Sequence, residues 1–315
     1  MKKAVSIIII CAVFAALFSG CGAAPAAPAD DGKLSVVATI FPAYDFARQV
    51  VGDNGSVTML IPPGSEIHSY EPTPQDIMKI SACDIFIYNG GESDEWVDDV
   101  LSSIEGKVTV IRMTDCVTQV EEEAKEGMYV HEEESEAGEP EYDEHVWTSP
   151  VNAQKICAAI ADAAAERDPA HAEAYKKNLA AYTDELSALD KSFRGVVGSA
   201  KRKTLIFADR FPVRYFTEEY GLEYFAAYPG CAEDSEPSAK TVAFLSDKVR
   251  EDGAPCVLYI EFSNQKMADT ICGDTGCAKL EFNSCHNVSK ADFENGVTYL
   301  QLMWKNVDTL RKALN

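Results

Sequence analysis

Histidine is scarce in this chain of 315 residues, which carries 5. Basic residues are scarce as well: 28 Lys and Arg stand against 51 Asp and Glu, a formal net charge of -23. A surface so acidic repels phosphate backbones, so nucleic acid is not an expected partner. No Cys-x-x-Cys pair occurs among the 10 cysteines, which argues against a zinc ribbon. Neither a His-Glu-x-x-His helix nor a Gly-x-Ser-x-Gly elbow is present, so the common signatures of zinc peptidases and serine hydrolases are missing. Beyond residue 20, no apolar run is long enough to span a bilayer.

The one long apolar stretch is at the start. Lys2-Lys3 precedes a nearly unbroken apolar run from Ala4 to Phe18, which ends in Leu17-Phe18-Ser19-Gly20-Cys21. Residues 1–20 resemble a bacterial lipoprotein signal, with cleavage before Cys21 and lipid on its sulfur. Phe18 stands where such signals more often carry Leu, and an ordinary secretory signal cut near Ala23 or Ala24 is the alternative. Residues 21–33, rich in Ala and Pro, read as a flexible tether. The expected location is the outer face of the bacterial membrane, anchored by lipid rather than threaded through it.

The rest alternates β-rich runs with helical stretches, which predicts parallel sheets covered on both faces. Strands are expected at 34–40, 57–61, 84–88 and 108–111, with helices between them and another from Pro150 to about Arg167. Tyr175, Leu179, Tyr182, Leu186, Leu189 and Phe193 recur at helical spacing, so 169–199 is expected to be one long rigid helix. The alternation then resumes, with strands at 204–208, 223–227, 256–260 and 279–282 and a last helix over about 293–314. The fold class is therefore α/β: two Rossmann-like lobes, each a mainly parallel sheet flanked by helices, at 34–168 and 200–315. Residues 119–144 form an acidic loop in the first lobe. Cys83, Cys157 and Cys256 sit inside apolar patterns, where Cys acts as a small hydrophobe. Cys272 and Cys277 are the nearest pair for a disulfide, though the sequence does not assign pairing.

Two of the few histidines occupy matching places. His68 lies in Pro63-Gly64-Ser65-Glu66-Ile67-His68-Ser69-Tyr70-Glu71-Pro72-Thr73-Pro74, and His145 in Asp143-Glu144-His145-Val146-Trp147. Each falls between a strand and a helix. Loops leaving strand C-termini converge on the ligand crevice of an α/β fold, and imidazole there suits a divalent transition metal.

With Pro150-Val151-Asn152-Ala153 following, these motifs resemble the zinc/manganese class of ABC-transporter solute-binding lipoproteins over essentially the whole mature chain. The resemblance implies one metal in the cleft between two lobes, with His68 and His145 as the first lobe's ligands. The family's second lobe usually adds a His or Glu at the start of its first helix and an Asp after its last strand. Here the first of these positions falls at Asp209-Arg210; arginine stays protonated and cannot ligate, whereas Asp209 can. The second falls near Asn283, a poor ligand, and His286 in Asn283-Ser284-Cys285-His286-Asn287 is expected to serve instead. Glu261 and Cys285 are reserve candidates, Arg210 is a possible partner for an acid in the cleft, and His171 is expected at the surface. The acidic loop occupies the place of a His-rich loop in zinc-specific relatives. It holds only His131, so it reads as a solvated loop or as a weak metal collector.

The expected function is thus the extracytoplasmic metal-capture subunit of an ABC importer and not an enzyme. It would be a monomer that delivers Zn2+, alternatively Mn2+, to a permease with its ATPase subunit. Two rivals are kept: a zinc-dependent hydrolase with Glu144 or Glu66 as base, and a surface adhesin or interaction lipoprotein with a structural metal.

Overall fold

β1 (Leu34–Ala38) is apolar on both faces, with Val36, Val37 and Ala38 all buried. A strand of this kind must be covered from both sides, which selects a parallel sheet between helices. The computed structural model describes residues 32–65, 70–104, 106, 108–129, 141–230 and 238–315. The signal at 1–20, Cys21, most of the tether, His68, the middle of the acidic loop with His131, and Cys231 lie outside the described residues.

β1 pairs in parallel with β2 (Gly55–Met59) and β3 (Ile85–Tyr88), and β3 pairs with β4 (Thr109–Arg112), giving the order β2-β1-β3-β4. The second half repeats the plan. β5 (Thr204–Arg210), β6 (Glu223–Tyr228), β7 (Cys256–Tyr259) and β8 (Ala278–Glu281) form a parallel sheet in the order β6-β5-β7-β8. In each sheet the order reverses beside the first strand, and crevices open at such switch points.

The helices begin where the sequence supplies caps. α1 (Phe41–Val51) has Pro42 in its first turn, and Thr73 and Asp76 form a reciprocal capping box on α2 (Pro74–Ala82). α3 (Trp96–Ser103) precedes β4, and Ser149 caps α4 (Pro150–Arg167). After the long α5 (Ala172–Gly198) come α6 (Arg214–Tyr220), α7 (Ala239–Asp252) capped by Ser238, and α8 (Lys266–Thr275). No helix among the described residues is long and apolar enough to cross a membrane.

α5 has 27 residues, about 40 Å at ~1.5 Å per residue. Its start is a correction to the sequence reading: Pro169–His171 is a separate 3-10 turn. Asp168 accepts hydrogen bonds from the Tyr175 hydroxyl and His171 Nδ1 across that turn. One face of α5 serves both lobes. Tyr182 lies 6.4 Å from the Phe46 ring of the first lobe, and Phe193 lies 4.9 Å from Phe216 of the second. The expected final helix is also divided, into α9 (Lys290–Glu294) and α10 (Tyr299–Ala313). Gly296, at φ 72°, ends the first piece, and Thr298 with Gln301 builds a capping box that starts the second.

Leu34–Asn315 packs as one compact unit. One of its cross-links is a buried carboxylate: Asp45 on α1 accepts from the Arg48 guanidinium and, at 2.7 Å, from the Tyr299 backbone N–H at the start of α10. Arg48 in turn donates to the Val297 carbonyl. Burial pushes the Asp45 carboxyl above its usual range, against the opposing pull of Arg48. Removing the carboxylate strands the Tyr299 N–H and takes from the Arg48 guanidinium its charge partner, leaving it the Val297 carbonyl. Asp45→Ala is therefore expected to cost about 2–4 kcal/mol in urea unfolding, discounted because Arg48 keeps some contact with water.

Candidate functional site

His145 is set by its own turn. The bridge between Glu121 and Tyr142 delivers the chain to Asp143, and a 3-10 turn over Val146–Thr148 leads on to α4. Asp143 Oδ1 accepts from the His145 backbone N–H at 2.8 Å and lies 3.2 Å from His145 Nδ1. A carboxylate on Nδ1 fixes the ring and leaves Nε2 as the nitrogen that could coordinate, an arrangement known behind metal-bound histidines. Burial works to lower the His145 pKa. The Asp143 carboxylate, aided by Glu144 and Glu122, outweighs it, so the imidazole holds its proton above the usual range.

The chain opposite leaves no spare room. A Cβ on Gly230 would stand 3.1 Å from His145 Cε1 and 3.1 Å from the Phe211 carbonyl oxygen. A side chain there would need the imidazole or the Phe211 carbonyl to give by a few tenths of an ångström. On the first-lobe side is an acidic recess of about 510 Å³, whose lining includes Asp94, Asp98, Asp115, Asp143 and Glu144 as well as Arg112.

The second lobe brings His286 to the same place. The His145 and His286 ring centres are 5.1 Å apart, with planes at 78°. Two imidazoles on one tetrahedral zinc, at Zn–N of ~2.0 Å, would hold their ring centres about 5 Å apart. Trp147 backs both rings, at 5.4 Å from His145 and 4.9 Å from His286. Its indole N–H donates to the Ser284 carbonyl at 2.8 Å, and its own carbonyl accepts from the Tyr299 hydroxyl at 2.8 Å. Both bonds cross from one lobe to the other. Among the described residues no three His, Cys, Asp or Glu side chains converge to hold an ion. The described cluster is a pair of imidazoles.

The remaining candidates take other roles. Asp209 does not line the cleft beside His286, which has a volume of about 200 Å³ and is walled by Arg210, Glu261, Ser284 and Asn287 among others. Its carboxylate instead accepts from the backbone N–H groups of Arg210 and Ile260 and from Ser263, tying down the ends of β5 and β7. The structure therefore does not bring Asp209 to the two imidazoles. Glu261 does line the cleft, and it organises the His286 loop. It accepts from Ser284 N–H at 2.7 Å, the Ser284 hydroxyl at 2.6 Å and His286 N–H at 3.1 Å. Asn283 is bracketed by Asn306 through both its N–H and its carbonyl. Cys285 is wholly buried, and burial pushes its thiol well above the usual range, so it stays protonated. His171 is paired with Asp168 at the surface. Glu144, a nominated base, is buried and hydrogen-bonded to Ser93.

Two contributors were not singled out from sequence. Asp143 is one, and its signal was the Asp-x-His spacing. Asn287 is the other, and no local pattern marks it. Its buried amide donates to the Pro62 carbonyl at 3.1 Å and the Ser65 carbonyl at 2.9 Å, while its oxygen accepts from Val288 N–H. The second lobe thus grips the segment that leads toward position 68.

A family model described as zinc-uptake complex component A, periplasmic, matches residues 36–313. The high-affinity zinc uptake system protein ZnuA of Bacillus subtilis is 33% identical over 320 residues, covering 99% of this chain and 98% of that protein. The zinc-binding lipoprotein AdcA of Streptococcus pneumoniae is 33% identical over 285 residues, 90% of this chain. The match takes in 56% of AdcA, so the chain spans about half the length of that relative. Among solved structures, the Zn(II)-bound ZnuA-like domain of the same AdcA superposes with a TM-score of 0.74 at 30% identity, covering 90% of this chain and 99% of that one. The laminin-binding protein Lmb of Streptococcus agalactiae, described as an adhesin with metal-transporting activity, gives 0.76 at 25% identity, covering 90% and 100%.

Asn287→Asp keeps the acceptor for Val288 but cannot donate, and sets a charge against two carbonyl oxygens. It is expected to cost about 1–3 kcal/mol in chemical denaturation with the native circular dichroism intact. A change below about 0.5 kcal/mol would show that these bonds do not hold the loop.

Proposed function

The chain belongs to the zinc-uptake complex component A family, and we propose that it is the zinc-capturing subunit of an ABC importer. It holds one ion between its lobes and hands it to the permease, which the ATPase subunit drives. The observation that carries this reading is the pair of imidazoles from opposite lobes, His145 and His286, at a spacing that one zinc ion would impose. His68, outside the described residues, is the proposed third ligand. Asp143 acts behind His145, and Glu261 holds the backbone of His286. Nitrogen ligands favour zinc over manganese, which prefers an oxygen-rich shell.

We place the protein outside the cytoplasm as a monomer, tethered to the membrane by lipid on Cys21. The hydrolase reading loses one nominated base, because the Glu144 carboxylate is enclosed and engaged by Ser93. No residue described above favours adhesion over transport.

Elemental analysis of tag-free protein is expected to find one zinc per chain. In chelator competition, His145→Ala and His286→Ala should each weaken zinc binding by about 100-fold or more, whereas Asp209→Ala should stay within about threefold. Unchanged affinity in His286→Ala would remove that residue from the site.

Acid should weaken the site in a defined sense. Because Asp143 holds the His145 proton above the usual imidazole range, zinc must displace that proton up to a correspondingly higher pH. Affinity is expected to rise with pH through that range, and below it to fall by at least about tenfold per unit. Calorimetry in buffers of different ionisation enthalpy should register proton release. Binding that is independent of pH between about 5.5 and 8 would contradict this.

A further inference from the structure

Seven of the cysteines lie among the described residues, and all are free thiols in the structure. Most are solitary and buried. Cys272 and Cys277 are not: their sulfurs are 3.4 Å apart, and both are partly accessible. Cys272 sits on the last turn of α8, and Cys277 immediately precedes β8. Between them Gly276, at φ 78°, turns the chain back, and its N–H donates to the Cys272 carbonyl at 2.8 Å. The local backbone, and not a chance meeting of flexible side chains, brings the two thiols together.

The geometry points to Cys272 and Cys277 as a disulfide-forming pair that staples α8 to the strand it covers. β8 is an edge strand, paired only with β7. Edge strands lack half their ladder and are where a sheet frays or mispairs. From its far end β8 runs through Phe282 into the loop that carries His286. The staple would therefore secure the frame of that loop at the end remote from the imidazoles, without touching the site. The inference stands independently of the zinc reading.

Closure balances simply. One protein thiolate attacks a sulfur of a small-molecule disulfide and expels the first small-molecule thiol. The second protein thiolate attacks the protein-bound sulfur of the mixed disulfide and expels the other. The protein loses two electrons and two protons, and the reagent's S–S bond takes them up. Burial, then the hydrogen bond to Cys277, pushes the Cys272 thiol up to about 12, so its thiolate is scarce at neutral pH. The exchange is thus expected to be slow, and should be read at equilibrium rather than as a rate. Cys256 is the competitor, since it pairs across the β7–β8 ladder with Ala278, the residue after Cys277.

The sequence supplies a clean assay. Trypsin cutting after Lys266 and Lys279 releases Met267–Lys279, which contains Cys272 and Cys277 and no other cysteine. The full chain is incubated with oxidised glutathione at about pH 8, trapped with an alkylating reagent, digested and weighed. We expect most of this peptide to be lighter than the dithiol by two hydrogens and to carry no alkyl group. In Cys272→Ser, the remaining Cys277 should carry either one alkyl group or one glutathione. Two alkyl groups on the wild-type peptide, a glutathione stably held on either cysteine, or Cys277 linked to the Cys256 peptide would each overturn the proposal.

Discussion

The arrangement rests on hydrogen bonds made across the lobes at Trp147. The indole N–H of that residue reaches the Ser284 carbonyl of the second lobe, and its own carbonyl takes the Tyr299 hydroxyl. Neither group is near water, since Trp147 and Tyr299 are wholly buried. A buried polar group without a partner is costly, so these bonds resist separation of the lobes more strongly than similar bonds at a surface. They also set register. Trp147 follows His145 by two residues and Ser284 precedes His286 by two, so fixing one pair of backbones fixes the two imidazoles beside each other.

The same economy of parts recurs around the cleft. Asp45 ties α1 to the start of α10, Asn287 grips the segment after β2, and α5 lays a single aromatic face against α1 of the first lobe and α6 of the second. These contacts come from different elements, and together they make the lobes one body.

Much of this architecture could be read from the chain. The strand positions, their parallel pairing and the long helix followed from apolar runs and from the spacing of Tyr175, Tyr182, Leu186, Leu189 and Phe193. What periodicity misses is punctuation supplied by single residues. Gly296 breaks the last helix although Phe293 and Val297 continue an apolar pattern on either side of it. The long helix was drawn back to Pro169, because Asp168 forms its turn through side-chain hydrogen bonds that carry no periodic signal. The scarcity of histidine and its placement after strands single out His145 and His286, whose rings the fold sets side by side. Asp209 ends a strand as well, and its carboxylate is engaged by Arg210 and Ile260 N–H and by Ser263. A strand-terminal carboxylate can serve its own backbone as readily as a ligand, and which it does depends on where Ile260 and Ser263 arrive from a distant part of the chain. Asn287 was invisible, because its partners are carbonyl groups and carbonyl groups have no sequence identity.

The enclosure of His145 has a kinetic corollary. His145 itself offers no surface to bulk water. The walls on the His145 side would have to part first, whereas His286 lines the cleft and is only partly covered. For the zinc-capturing role proposed above, such walls would make the dwell time of an ion depend on how often they part.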